Sequence, residues 1–327
     1  MKKRCQNGGT RAGLAVLAFA VFASALGGCA GAGPAGGVVA AEGAMADALQ
    51  SNEAGLTPSP PGEAQTPELV EGNTRFALDL YRALFSEEAN LFYSPYSLAT
   101  ALAMTYAGAR GETEQQMAKA LHFTLPQAQL HPAFIALDQV LARGREGEGE
   151  EALQLRMANS LWGQQGCSFQ DSFLDTLAES YGTRLRTVDF ERPEEARRLI
   201  DQWASDQTEE RARDFLPPES LSAETALVLA NVIYFDAAWL HPFVEARTHD
   251  GAFTLPDGEQ VTVPMMDQTA ELGYAERTGV QAIELPYAGG ELAMVDLLPD
   301  LGTLDQFAQG LEPAELESIL SEMERVK

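Results

Sequence analysis

Apolar residues recur along this chain in two rhythms, and the change from one to the other organises it. From Pro67 to Trp203 the spacing is mostly helical. Pro67 opens a helix with Leu69, Phe76, Leu80 and Leu84 on one face, the stripe of an amphipathic helix. Ser94 and Pro95 then supply a cap and a first-turn residue. The run Leu98, Ala99, Ala101, Leu102, Ala103, Met104, Ala107 carries almost no charge, so that helix must be buried on nearly every side. Gly108 and Gly111 break it. Thr113 to Gln116 fit a capping box, and Met117, Ala120 and Leu121 form the next inward stripe. Further helices are predicted around Phe134, Leu137 and Leu141, over Phe169, Phe173, Leu177 and Tyr181 with Gly182 as the stop, and from Pro193 with Ala196, Leu199, Ile200 and Trp203 inward.

The second rhythm is that of strands. Leu153, Leu155, Met157, Asn159 and Leu161 alternate with other residues, after an acidic loop from Glu146 to Glu151, and a strand follows near Leu185 to Phe190. Thr225 to Phe235, TALVLANVIYF, is an apolar run of strand length, which predicts a central strand buried on both faces. Phe253, Leu255, Val261 and Val263 flank Asp257-Gly258, a hairpin signal. Two more strands are expected at Val280 to Leu285 and Leu292 to Leu298, with a last helix over Glu312 to Met323. There is no internal repeat. Helices come first and strands dominate later, so the class is α+β rather than alternating βαβ.

The first residues read differently. Lys2, Lys3, Arg4 and Arg11 precede an apolar run from Leu14 to Ala25 that is too short to span a membrane stably. Leu26-Gly27-Gly28-Cys29 closes it and resembles the lipobox of bacterial lipoproteins, in which the Cys29 thiol is acylated and the chain is cut just before it. The expected division is a signal peptide over 1–28, a flexible Ala/Gly/Pro linker over 29–66 with too few large apolar residues for a core, and a folded domain over 67–327. An ordinary secretory signal with Cys29 incidental is the alternative. Several acyl chains anchor stably where one binds only marginally. The product would be exported and held at the cell envelope or cell surface, facing the periplasm or the extracellular space. With Cys5 cleaved away and Cys29 acylated, Cys167 is expected to have no partner and to be a plain loop residue.

Charge narrows the partners. The chain has 22 Lys and Arg against 48 Asp and Glu, a formal net charge of −26. Losing the four basic residues of the signal makes the balance more acidic still. Phosphate backbones need a basic face, so nucleic acid is excluded as a partner. His122, His131, His241 and His249 form no metal-spaced pair. Ser94 sits in a helix cap rather than a nucleophile elbow, and no phosphate loop or dinucleotide motif is present. No catalytic residues, metal or cofactor are therefore assigned, and the chain does not read as an enzyme. The polar residue that does stand out is Asn231, inside the most apolar strand. Its amide must find partners or cost about 1–3 kcal/mol, and a satisfied core amide is the plain reading.

Asn90 to Phe123, NLFYSPYSLATALAMTYAGARGETEQQMAKALHF, resembles the serpins, the serine-protease-inhibitor family, at the helix buried behind their main sheet and the helix after it. Asn159-Ser160-Leu161-Trp162, Leu227 to Phe243, the Phe253 to Gly258 hairpin with Val263 to Met266, Glu284 to Tyr287 and Leu297-Leu298-Pro299 extend the likeness from Pro67 to the end. It departs where Asp201 stands for the family's usual Asn, and where Thr208-Glu209-Glu210-Arg211 replaces T-x-G-K. The resemblance implies a serpin fold, with helices packed on a large mixed central sheet plus further sheets. It also implies a protease inhibitor, of the serine or cysteine class, acting by cleavage of an exposed loop that inserts as a new strand, and expected as a monomer. Ser94, Ser97 and Asn231 would form the "shutter" under that sheet, and Trp239 the "breach" at its top. Bland roles stand beside these, cap for Ser94 and packing for Trp239. The family's C-terminal quarter, with the reactive loop and its cleavage residue, has no counterpart before Lys327, so the domain is expected to be incomplete and the target protease unreadable. A non-inhibitory serpin-scaffold binding protein or remnant is the alternative.

Overall fold

The computed structural model describes residues 13–18, 47–48, 62–86, 90–143, 154–255 apart from 209 and 213, and 258–326. The chain divides into two compact units. The first takes in the N-terminal residues to 59, residues 100–109 and 156–236; the second comprises 60–99, 110–155 and 237–327.

The first unit is a sheet with helices. Its strands are β1 (Gly13–Ala18), β2 (Asp47–Ala48), β3 (Gln154–Gln164), β4 (Leu185–Val188) and β5 (Thr225–Asp236), in the order β1-β5-β3-β4-β2. β3 and β4 are parallel, with Leu161 opposite Leu185. β1 runs parallel to β5 and β2 antiparallel to β4. These two outermost strands come from segments assigned by sequence to the signal and the linker. They lie on the two open edges, where unpaired N–H and C=O groups template one more strand.

Residues on alternate faces of β3 and β5 meet different helices, as the two-residue repeat of a strand requires. On one face Trp162, Val228, Ala230 and Val232 pack with Ala196, Ile200, Trp203 and Ala204 of α6 (Pro193–Gln207). On the other, Leu161 and Leu229 pack with Ala101 and Met104 of α2 (Pro95–Tyr106) and Leu177 of α5 (Asp171–Tyr181). Gly182 ends α5 in the left-handed conformation, φ 57°. β5 thus has buried residues on both sides, as its unbroken apolar run requires.

The second unit carries α1 (Thr66–Leu84) after a 3-10 turn at Glu63–Gln65, then the start of α2, α3 (Glu112–Ala120) and α4 (Gln127–Arg143). Residues 62–66 of the span assigned to a linker already belong to this unit; the rest of that span, but for β2, lies outside the described residues. Gly72 lets α1 approach the turn at His122; a Cβ there would sit 2.5 Å from the His122 carbonyl oxygen. The expected capping box at Thr113 is not formed. Gly111, at φ 64°, is the N-cap and α3 already starts at Glu112, without a side-chain cap. β6 (His249–Thr254) and β7 (Gln260–Met265) make the hairpin, with Gly258 at φ 86°; Asp257 lies outside the described residues.

β8 (Leu272–Arg277), β9 (Val280–Pro286), β10 (Ala293–Pro299) and β11 (Glu324–Val326) form a second sheet in the order β10-β9-β8-β11. α7 (Leu304–Gly310) and α8 (Pro313–Ser321) put Ala308 and Ile319 inward, and Ile319 packs with Leu311, Ala275, Val280 and Ala282. β8, α7 and β11 were not read from the sequence. β8 is interrupted by charge at Glu276 and Arg277, and α7 and β11 are too short to show a period.

Cys167 is disulfide-bonded, which corrects the expectation of an unpaired thiol. That expectation removed Cys5 with the signal and committed Cys29 to an acyl chain, whereas the full chain carries both sulfurs. Both lie outside the described residues.

Candidate functional site

The residues singled out by sequence fall into three places. Asn231 is in the first unit, on β5, 2% exposed. It shares the strand face of Leu229 and so points toward the α2 side. Its Nδ2 donates to Oδ1 of Asn159 on β3, at 2.6 Å. Asn159 in turn shows its backbone carbonyl to the Thr183 hydroxyl, 3.2 Å. An amide pair at this depth ties the two strands together, because in a low-dielectric interior neither group finds water when the strands part only slightly. The sequence pointed to Asn231 as a lone polar residue in an apolar run. It did not assign Asn159 as the partner, although a polar residue in an alternating apolar strand was the available signal.

Ser94 and Ser97 belong to the second unit, at the start of α2. The Ser94 hydroxyl accepts the Ser97 N–H at 3.2 Å, and its carbonyl accepts the Leu98 N–H at 3.1 Å. Ser94 is therefore a working N-cap, with Pro95 in the first turn where its missing N–H costs nothing. Ser97 is buried, 1% exposed.

Trp239, also in the second unit, lies just past β5. Its ring stacks on Tyr287 at the end of β9, with centroids 4.6 Å apart and planes 12° from parallel. Phe243 meets it edge-on at 6.2 Å. Backbone bonds hold the pair in register: Leu240 N–H to the Pro286 carbonyl, 2.9 Å, and Ala288 N–H to the Ala238 carbonyl, 2.8 Å. Burial raises the Tyr287 phenol pKa, and the nearby Asp296 carboxylate adds to the rise. Tyr287 is thus the residue that fixes the tryptophan. Tyr287→Ala should cost about 0.5–1.5 kcal/mol of stacking beyond lost area. It should also shift the Trp239 share of the fluorescence, read by difference from Trp239→Phe, to longer wavelength.

One cluster lies over the other face of the first sheet. Asp201 of α6 accepts the Leu216 N–H at 2.8 Å and the Arg197 guanidinium at 2.7 Å. Burial nevertheless raises its pKa above the ordinary aspartate value, against the pull of that N–H and of Arg197. Arg211, in the connection after α6, stacks over Tyr234 of β5 at 5.3 Å, and Arg156 of β3 approaches the same ring at 5.9 Å.

Among the described residues no group of three or more His, Cys, Asp or Glu is placed to hold a metal, and no helix is long and apolar enough to cross a membrane.

A family model, Serpin (serine protease inhibitor), matches residues 71–327. The chain belongs to the serpin family. Its relatives include an uncharacterised serpin-like protein of Thermococcus kodakarensis, 37% identical over 266 residues, and the leukocyte elastase inhibitor of Sus scrofa, 38% identical over 261. Those matches cover 81% and 78% of this serpin, which spans 61% and 67% of the two relatives' own lengths. Among solved structures, emu ovalbumin matches with a TM-score of 0.72 at 28% identity, covering 80% of this chain and 71% of ovalbumin. Reaction-loop-cleaved lamprey angiotensinogen matches with a TM-score of 0.70 at 25% identity, covering 80% and 76%. The α+β fold is accordingly the serpin fold, and the relatives named leukocyte elastase inhibitor are protease inhibitors.

Proposed function

We propose that this serpin belongs to a protease inhibitor that works by strand uptake. A target protease cleaves an exposed loop and is held as an acyl adduct. The loop then enters the central sheet beside β5, on the side that β1 fills here and that removal of the signal residues would open, and backbone pairing with burial supplies the energy; serpin loop insertion is a named instance of these mechanisms. The observation that carries this reading is β5 itself. It is a twelve-residue strand, buried on both faces, whose most deeply buried polar side chain, Asn231, is tied to β3. In this reading Asn231, with Ser94 and Ser97, controls opening of the sheet, and Trp239 on its Tyr287 platform controls where it starts.

The chemistry of the target follows from the mechanism. An acyl adduct needs a serine or cysteine nucleophile, so metalloproteases and aspartic proteases would only cut the loop. Incubated with a panel of serine proteases, the whole protein should give an SDS-stable band at the summed mass. Cleavage without any adduct across serine and cysteine proteases would leave a non-inhibitory scaffold instead.

Attachment to the membrane through Cys29 completes the proposal and places the inhibitor at the cell envelope or cell surface, facing the periplasm or the extracellular space. Acylation takes the Cys29 sulfur and the cut before it removes Cys5, so the Cys167 disulfide belongs to the unprocessed chain and the anchored form carries Cys167 as a thiol. Cys29→Ser should abolish incorporation of labelled fatty acid in cells and release the protein from the membrane fraction. Undiminished labelling would remove the anchor while leaving the inhibitor reading intact.

A further inference from the structure

We propose that the uncleaved leader is the molecule's own stopper: Gly13–Ala18 fills the strand site beside β5, a disulfide at Cys167 clips it there, and removal of the leader arms the protein. The stopper and its clip stand on the sheet geometry alone. The arming rests on the strand-uptake reading above.

The pairing comes first. β1 lies parallel to β5 on the edge away from β3, with Leu14 opposite Leu227, Val16 opposite Leu229 and Ala18 opposite Asn231. The outer edge of a strand offers a row of unpaired N–H and C=O groups, and the segment from Leu14 to Ala18 brings no charge to it. The cover is partial. The register ends at Asn231, so residues 232–236 of β5 keep their outer edge. That free part is the end that leads on to Trp239. A strand entering from there would find a short free edge. It would then meet Ala18 at the residue that ties β5 to β3.

The clip is an independent observation. Asn159 meets Asn231 and Arg156 approaches Tyr234. β3 and β5 therefore run in opposite directions, and the Gln164 end of β3 lies beside the Thr225 end of β5. β1 starts at that same end, with Gly13 opposite Thr225. Cys167 sits in the turn that closes β3 there, its N–H on the Gln164 carbonyl at 3.2 Å, and it is disulfide-bonded. The chain has three cysteines, so the second sulfur belongs to Cys5 or Cys29. Cys5 precedes Gly13 by eight residues and Cys29 follows Ala18 by eleven. Without the bond, the next described attachment is β2 on the opposite edge of the sheet, 29 residues beyond Ala18. Effective concentration falls as about the −3/2 power of tether length, so the clip raises that of the leader at β5 roughly four- to sevenfold.

Arming undoes both holds. The clip opens by thiol–disulfide exchange with a dithiol reductant. Its thiolate attacks one sulfur, and its second thiol then displaces the mixed disulfide. Two electrons leave the dithiol, which ends as its own disulfide, while Cys167 and its partner each take up a proton. Hydrolysis of the peptide bond before Cys29 then separates β1 from the domain, and the whole outer edge of β5 is open to another strand.

The test is hydrogen exchange of the uncleaved full chain at neutral pH, resolved by peptide. Neighbouring N–H groups of a strand point to opposite sides, so the double change Val16→Pro with Leu17→Pro removes one that faces β5. It should speed exchange of the amides within 225–231 that face away from β3 by about tenfold or more, and leave 232–236 unchanged. Cys167→Ser should give the same pattern at roughly four- to sevenfold. Unchanged exchange over 225–231 in the proline variant would overturn the stopper, and in Cys167→Ser the clip. Arming is read separately. Uncleaved whole protein with the two prolines should form a protease adduct about tenfold or more faster than uncleaved wild type. Equal rates, where the processed protein does form adducts, would overturn the arming. If no form gives an adduct, processed or not, the strand-uptake reading fails and the arming with it, while the exchange result still decides the stopper.

Discussion

Asn231→Ala should lower the unfolding free energy by about 2–4 kcal/mol, the sum of a lost buried hydrogen bond and a small core cavity. For a domain of this size that is a fall of roughly 4–8 °C in melting temperature. Asn159→Ala should cost less, because Asn159 is only half-buried. The double variant should cost about 1–2 kcal/mol less than the two singles added, since each single change already breaks the 2.6 Å bond between them. Asn231→Leu separates the two contributions. It refills the volume and removes the amide that needs a partner, so it should cost less than Asn231→Ala while still abolishing the coupling. Strict additivity in this cycle would show that the two amides act independently, and would take away the physical basis for calling them a latch between β3 and β5. The same latch is where stability and function compete. Strengthening it holds the sheet shut, and weakening it lets the sheet accept a strand before a protease supplies one.

The elements that sequence reasoning found are those whose burial is one-sided or complete over many residues. α1, α5 and α6 carry long stripes, and β5 carries an unbroken apolar run, so a single tertiary arrangement satisfies each. The elements it missed are short and their neighbours decide them. β11 is three residues long and its burial pattern is exposed throughout; only pairing with β8 makes it a strand. α3 starts at a left-handed glycine instead of the capping box because Gly111 can take φ 64° at no steric cost, and that geometry overrides the side-chain cap.

The candidate site divides the same way. Asn231 and Trp239 were legible as polar or aromatic residues at odd places in apolar sequence. Their partners, Asn159 and Tyr287, lie 72 and 48 positions away and enter only through strand pairing. Glu210 is the instructive case. Losing the glycine leads one to expect a changed turn, and instead the surrounding bonds, Glu210 N–H to the Ser205 carbonyl at 2.8 Å among them, hold a glutamate in glycine's conformation.

Acidification should unfold the second unit through His131. This residue is 5% exposed on α4, among Leu130, Ala133 and Phe134. Burial, reinforced by the charge of Arg110, depresses its pKa from 6.5 to about 4. The sign follows from which state holds the proton. Above pH 6.5 the ring is neutral in both states and has no effect. Between about 6.5 and 4 the unfolded chain binds a proton that the folded chain refuses, so stability falls as pH falls, by up to about 1.4 kcal/mol per pH unit and about 3 kcal/mol in all. Asp201 and Asp296 act in the opposite direction, since burial raises their pKa and the folded state takes their protons first. The difference between the wild type and His131→Gln cancels those carboxylates. Denaturant melts at pH 7 and 4.5 should show His131→Gln less stable than or equal to wild type at the higher pH, and gaining on it by about 2–3 kcal/mol at the lower. A pH-independent difference would mean that the histidine binds its proton equally well in the folded and unfolded states, and would overturn the prediction.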